Sequence, residues 1–215
     1  MSIKQKYSVR SIDSDQTKEW LLKKHYLKRM PPISYAFGLF EGQILIGVMT
    51  IGKPASFTLC ENICGKQYSE FVYELNRLVV NDGLEKNVLS YFVGSSFNLI
   101  KDNLIVVSYA DTQYGHNGYI YQATNWTYTG MTDARRDKIV KGSKQHNRHI
   151  SAYKSEEFDV KVRSQKHRYV FSSARKEGSL KNISNTNSCH ILKAKIKDTI
   201  HHINPKYKLL YFKIQ

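Results

Sequence analysis

SEFVYELNRLVVNDGLEKNVLSYFVGSSFNLIKDNLIVVSYAD, residues 69–111, decides the fold. Its opening, SEFVYELNRLVV (69–80), alternates well enough for a strand. NDGLEKN is a polar turn built around Gly83. From Val88 onward, Leu89, Phe92, Val93, Phe97 and Ile100 recur at helical spacing on one broad face. LIVVSYAD (104–111) is a near-continuous apolar run, the pattern of a strand buried on both faces. Strand, crossover helix and strand make a βαβ unit. The expected fold is therefore α/β with at least one parallel strand pair.

Upstream, Ser14 and Asp15 are N-cap candidates for a helix through QTKEWLLKKHYLKR, which Pro31 and Pro32 stop. His25 and Tyr26 fall near its C-terminal end. YAFGLFEGQILIGVMTIG reads as two strands about a Glu41-Gly42 turn. Residues 52–68 read as a loop. Downstream of Asp111, a turn with Gly115, His116 and Gly118 leads into a helix-like run carrying Tyr119, Tyr121 and Trp126. KHRYVF (166–171) reads as a closing strand. The chain thus divides into a domain at 1–172, with a basic insertion at 133–165, and a basic C-terminal extension at 173–215.

Across its 215 residues, Lys and Arg number 33 against 18 Asp and Glu, a net charge of +15. Such an excess costs self-repulsion and is easiest to understand with a polyanionic partner, nucleic acid first. No apolar run approaches the roughly 18 residues of a membrane helix, and MSIKQKYSVR lacks the apolar stretch of a secretory signal. A cytoplasmic protein without a membrane partner is expected. Three cysteines argue against a disulfide scaffold. Cys60 and Cys64 offer half a zinc site, but no second close pair stands at finger-like spacing.

The turn at NRLVVNDGLEKNVLS also suits an anion. Unpaired N–H groups of a first helical turn, with the positive end of the helix dipole, favour phosphate. Gly83 permits the sharp backbone, Lys86 adds charge and Asn87 can cap the helix. Taken locally, the pattern equally fits an ordinary strand-to-helix connection, having neither GxGxxG nor a Walker lysine.

Three ordered blocks resemble one family: HYLKRMPPISYAFGLFEGQILIGVMTIGKPAS, YELNRLVVNDGLEKNVLSYFVG and SYADTQYGHNGYIYQATNWTYTG. They are similar to the Mom-type phage DNA-modification proteins of the GNAT superfamily of acyl-CoA N-acyltransferases, over roughly residues 20–130 plus KHRYVF. The resemblance implies a GNAT-like mixed, splayed central sheet flanked by helices. It implies modification of the adenine N6 amine in phage DNA, in the host cytoplasm, which shields that DNA from host restriction. The donor would be an acyl-CoA, acetyl-CoA first, held at Leu78, Val79, Val80, Gly83, Lys86, Asn87 and Ser90. Here Asp82-Gly83-Leu84-Glu85-Lys86-Asn87 replaces the usual Gly-rich turn.

On that fold Asp111 would sit at the mouth of the splay, as acceptor of a proton or hydrogen bond from a poorly nucleophilic amine. His116 is a second base candidate. Arg77 is a candidate to stabilise negative charge, Ser90 to contact phosphate or acyl oxygen, and Tyr35 to line the cleft. Plainer readings stand beside these: Asp111 as a cap, Arg77 in a structural salt bridge, His116 as a turn residue, Tyr35 as sheet packing. The resemblance further implies iron at His25, Tyr26 and Asp111. Adjacent helical residues point about 100° apart, so that helix end must be distorted for both to ligate. The partner would be double-stranded DNA with a flipped adenine stacked on Tyr114. Arg135, Arg136, Lys138, Lys141, Lys144 and Arg148 would meet its phosphates. The rival functions are acyl transfer to a protein, RNA or small-molecule amine, and nucleic-acid binding without catalysis.

Overall fold

The computed structural model describes residues 2–140 and 158–173. Its strands are β1 (Tyr7–Ser11), β2 (Tyr35–Glu41), β3 (Ile44–Gly52), β4 (Val72–Val80), β5 (Leu104–Asp111), β6 (Thr127–Met131), β7 (Arg135–Val140), β8 (Phe158–Arg163) and β9 (Lys166–Ser173). All but β7 and β8 join one mixed sheet in the order β1-β2-β3-β4-β5-β9-β6. β7 and β8 pair with each other as a separate antiparallel ribbon. Helices α1 (Ile3–Lys6), α2 (Ser14–Glu19), α3 (Phe57–Cys64), α4 (Val88–Leu99) and α5 (Tyr119–Ala123) complete the mixed α/β fold.

The βαβ unit forms as its pattern predicts. α4 buries Val88, Phe92, Val93 and Phe97, and β5 is buried except at Tyr109. The α4 side chains and Leu104, Val106 and Ala110 of β5 share a core with Phe37, Leu39, Met49 and Ile51 from the β2–β3 hairpin. β4 and β5 run parallel, but only Val72, Tyr73 and Glu74 pair, with Ile105, Val106 and Val107. Beyond Glu74 the strands fork. The Leu75 carbonyl, just past the last paired residue, accepts a 2.8 Å hydrogen bond from the Ser108 hydroxyl. A buried acceptor that lost its ladder partner is thereby satisfied.

A bulge re-aims β4 at the fork. Thr50 of β3 faces Arg77, whereas its neighbour Ile51 faces Leu75, so Asn76 is the extra residue. Thr50 and Gly52 lie on one face of β3, and their partners are Arg77 and Glu74. An acid and an arginine three positions apart thus share a face, which simple alternation forbids. Asn76 anchors the bulge by accepting from Thr50 and donating to the Pro32 carbonyl.

Several expectations need correction. Residues 52–68 are not a plain loop: Ser56 caps α3, whose Cys60, Ile63 and Cys64 pack against Val72, Ile105 and Val107. Those cysteines are core residues at helical spacing. Asp13, rather than Ser14 or Asp15, caps α2. The helix continues only as a wide turn, Trp20–Lys24, closed by the His25 N–H on the Trp20 carbonyl. α5 ends at Ala123, so Trp126 packs from beyond the helix, after Asn125 in a left-handed conformation. α1 and β1 had no clear signal. Residues 174–215 and the middle of the basic insertion lie outside the described residues. Among the described residues, no helix is long and apolar enough to cross a membrane.

Candidate active site

The forked end of β4 and β5 gathers Arg77, Asp111, His25, Tyr26, Tyr114 and His116. Arg77 is 6% exposed and its Nη1 donates to the Asn76 carbonyl. Its Nε is buried without a partner among the described residues. Burial opposes its charge, Arg29 adds to that, and Tyr26 and Glu74 counter it. A buried guanidinium N–H left unmet is costly. Glu74, on the same face, has its carboxyl pushed up by burial and pulled back by Arg77, Lys166 and Arg29.

Asp111 ends β5 with only 5% exposure. Its Oδ1 accepts from the Ser164 hydroxyl at 2.6 Å and the Gln113 N–H at 3.0 Å. Its Oδ2 lies 2.8 Å from Lys166 Nζ. Burial pushes the carboxyl up, but Lys166, Ser164 and Gln113 together outweigh it and hold the group below its ordinary value. Asp111 therefore caps the following turn and is also a fixed, ionised acceptor at the fork. As the starting base it is weak, because its charge is already neutralised by a lysine.

Across from Asp111 stands an aromatic cluster. The His25 and Tyr26 rings stack with centroids 4.3 Å apart, and Tyr26 meets Tyr114 at 4.1 Å and His116 at 5.7 Å. Tyr26 and Tyr114 keep 38% and 45% of their surface exposed. Burial, then the Asp111 carboxylate, pushes the Tyr26 phenol up. A partly open set of rings beside an arginine and a carboxylate can receive a flat, polar-edged ligand.

Two residues stand apart from this cluster. The Tyr35 hydroxyl donates to Asp102 at 2.8 Å and its ring packs on Tyr73, near the opposite end of β4. The strand's direction carries it away from the cleft expected for it. Ser90 donates to the Asn87 carbonyl and lines a separate cavity of about 690 Å³ with Ser2, Lys4, Asn87, Tyr91 and Asn98.

That cavity runs along α4 from Asn87 to Asn98 and reaches Ala123, Thr124 and Asn125 at the end of α5. Asn87 is the N-cap in a left-handed conformation, with φ 70°, and makes no side-chain cap. Polar side chains and first-turn N–H groups there suit phosphate and amide groups. Gly83 has φ +76°, and a Cβ on it would meet nothing within 4 Å. Leu78, Val79 and Val80 pair with β3 on one edge, and their other edge lies past the last β5 pairing. Lys86 is exposed on the turn rather than lining the cavity; Lys4 takes that place.

The proposed iron ligands do not fit as folded. The distorted helix end does bring His25 and Tyr26 together, but their rings stack on each other. His25 Nδ1 accepts the Leu27 N–H at 3.1 Å. The neutral ring must then carry its proton on Nε2, where a ligand lone pair is required. Both Asp111 oxygens are committed to Ser164, Gln113 and Lys166. Among the described residues, no three His, Cys, Asp or Glu side chains converge to hold an ion.

Of the residues expected to meet DNA, Tyr114 is in the aromatic cluster and Arg136 is exposed on β7. Arg135 and Lys138 also belong to β7, while Lys141, Lys144 and Arg148 lie outside the described residues. Sequence reasoning missed Glu74, Ser164, Lys166 and Lys4. Glu74 was hidden by the bulge, and Lys166 by being read as the edge of a strand.

A model of the Mom protein family matches residues 6–187. The methylcarbamoylase mom of Escherichia phage Mu is 28% identical over 118 residues, covering 52% of this chain and 48% of that protein. The matched part thus spans about half the length of that curated relative. Among solved structures, yncA of Salmonella typhimurium with its cofactor acetyl-CoA is 8% identical, with a TM-score of 0.47. That match covers 80% of this chain and 97% of the other. A GNAT-family acetyltransferase from Elizabethkingia anophelis with acetyl-CoA bound is 10% identical, with a TM-score of 0.40, over 78% and 99% of the two chains.

Proposed function

The chain belongs to the Mom protein family, and from that premise we propose that it is a transferase acting on the N6 amine of adenine in phage DNA. It takes an acyl-type group from an acyl-CoA-type donor and so shields the DNA from host restriction. The observation that carries this reading is the forked end of β4 and β5, where the Tyr26–Tyr114–His116 rings lie within electrostatic reach of Asp111 and Arg77. The net charge of +15 favours DNA over a small-molecule acceptor.

An acyl-CoA supplies a carbonyl carbon activated as a thioester: the N6–C bond forms as the C–S bond breaks, one proton leaves the amine and one goes to the departing sulfur. The chain's residues orient and stabilise. Asp111 accepts a hydrogen bond from the amine and fixes its direction. Arg77 holds its positive charge beside the developing negative oxygen. Tyr26 and Tyr114 stack on the extruded base, which must leave the helix to expose its amine. The cavity at α4 takes the donor's phosphate-bearing arm. With His25, Tyr26 and Asp111 occupied as they are, no step runs through a metal.

The relative's name points to a methylcarbamoyl group, which carries a nitrogen that an acetyl group lacks. Mass spectrometry of nucleosides from cells expressing the full chain separates the two products by mass. A modified deoxyadenosine is expected, and it disappears with Asp111→Asn. Only unmodified deoxyadenosine from well-expressed protein would sink the reading. A labelled donor offered protein, RNA and small amines tests the broader acyltransferase alternative.

A further inference from the structure

The β7–β8 ribbon forms a two-stranded sheet of its own, apart from the seven-stranded sheet. Its six register pairs run from Arg135↔Arg163 to Val140↔Phe158. Val162 stands opposite Arg136 and Val160 opposite Lys138. Val160 and Val162 are 62% and 66% exposed, unusual for valines two apart on one strand face. Arg136 is exposed beside them. The twelve ribbon residues carry five basic and two acidic side chains. Apolar residues interleaved with cations, on a surface turned away from the core, call for a ligand that is both anionic and apolar. The DNA groove offers phosphates on its walls and methyl groups and base edges on its floor.

Size chooses the groove. A two-stranded ribbon fits the major groove, about 12 Å wide, and not an undistorted minor groove of about 6 Å. Six residues extend about 20 Å, enough to lie along several base pairs. The major groove is also where adenine displays its N6 amine.

The ribbon's root is fixed to the active site. Both the Thr112 N–H and its hydroxyl donate to the Gln165 carbonyl. Thr132 and Lys166 exchange hydrogen bonds, with Thr132 N–H on the Lys166 carbonyl at 2.9 Å and Lys166 N–H on Thr132 Oγ1 at 3.0 Å. Ser164 and Lys166 themselves hold Asp111. Whatever the ribbon grips is therefore held in fixed register with that carboxylate.

Resting on the DNA-modification reading, we propose that the β7–β8 ribbon enters the major groove of duplex DNA, with Val160 and Val162 against base edges and Arg136 on the phosphates, and so sets which base reaches Asp111.

The test uses the full chain and a fluorescein-labelled 30-base-pair duplex (a length of about three helical turns) in anisotropy titrations over a range of salt. Val160→Ser with Val162→Ser removes apolar contact and no charge. It is expected to weaken binding about tenfold while leaving the salt slope unchanged. Arg136→Ala is expected to reduce that slope by about one. Methyl green, a major-groove ligand, should compete with the protein, and netropsin, a minor-groove ligand, should not. Circular dichroism checks that the double variant is folded. A folded double variant that binds like the wild type, or displacement by netropsin alone, overturns the ribbon proposal and leaves DNA modification standing. A wild-type chain that modifies no adenine and binds no duplex removes the underlying reading itself.

Discussion

Lys166 Nζ sits 2.8 Å from Asp111 Oδ2, joining the start of β9 to the end of β5 on the side of β5 away from β4. The pair is asymmetric, with Asp111 almost wholly buried and Lys166 partly open to solvent. Removing the lysine strands a buried carboxylate. Lys166→Met is expected to lower unfolding free energy by about 2–3 kcal/mol. The pH dependence follows from the depressed Asp111 value. Its stabilisation is complete above the ordinary carboxylate range and is lost as pH falls through the folded-state value. Denaturant titrations from about pH 7 down to about pH 3 should show that loss in the wild type, and a smaller loss or none in Lys166→Met.

His25 gives a second pH signature of different origin. Burial, then Arg77 and His116, lower its value from 6.5 to about 4. The folded chain therefore keeps the ring neutral where the unfolded chain takes a proton. Stability contributed by neutral His25 is complete above about pH 6.5 and declines as pH falls toward about 4. His25→Gln should flatten that part of a melting-temperature profile. An NMR titration with an ordinary imidazole midpoint would refute the assignment.

Arg77 separates stability from activity. Its guanidinium is buried with Nε unmet, so replacing it with methionine relieves desolvation. Arg77→Met is expected to unfold no more readily than the wild type. Nucleoside modification should fall about 100-fold or more, the usual cost of losing a donor to a developing oxyanion. Equal losses in both measurements would make Arg77 a structural residue.

Gly118 is the most constrained glycine at the site. It has φ +76°, and an added Cβ collides with the Tyr169 ring. The Tyr169 hydroxyl donates to the Asn117 carbonyl at 3.0 Å and also receives the Gln122 amide. Gly118→Ala should therefore cost about 2–4 kcal/mol in unfolding free energy, by overpacking and left-handed strain together. Gly83→Ala has the same sign of φ and open space around it. A cost of about 1 kcal/mol is expected there.

The βαβ unit was legible because its periodicities are local: alternation in β4, helical spacing in α4 and an apolar run in β5 each fall within a dozen residues. Asp111, Arg77, Tyr26, Tyr114 and His116 were nameable individually as acid, base and ring types. Their shared location depends on the fork and the bulge, which no local pattern reports. Glu74 illustrates the limit. Strict alternation puts residues 74 and 77 on opposite faces, and one extra residue at Asn76 reverses that. Ser164 and Lys166 escaped notice because their partner lies more than fifty positions away. α3 was missed for another reason: its cysteines were weighed as ligands when their spacing was that of a packed helix face.

The place of β9 in the sheet has a consequence for synthesis. It lies between β5 and β6, yet it follows both, and the ribbon, in chain order. While the chain is being made, β5 has an open edge over its whole length, and β6 has no strand to join. Neither gap can close until residues 166–173 leave the ribosome. The same segment brings Lys166 to Asp111, so the last sheet contact to form is also the one that completes the acidic end of the cleft. A nascent chain halted at Ser164 would hold its parallel strands and α4 but no neutralised carboxylate, and would present β5 as a template for aggregation.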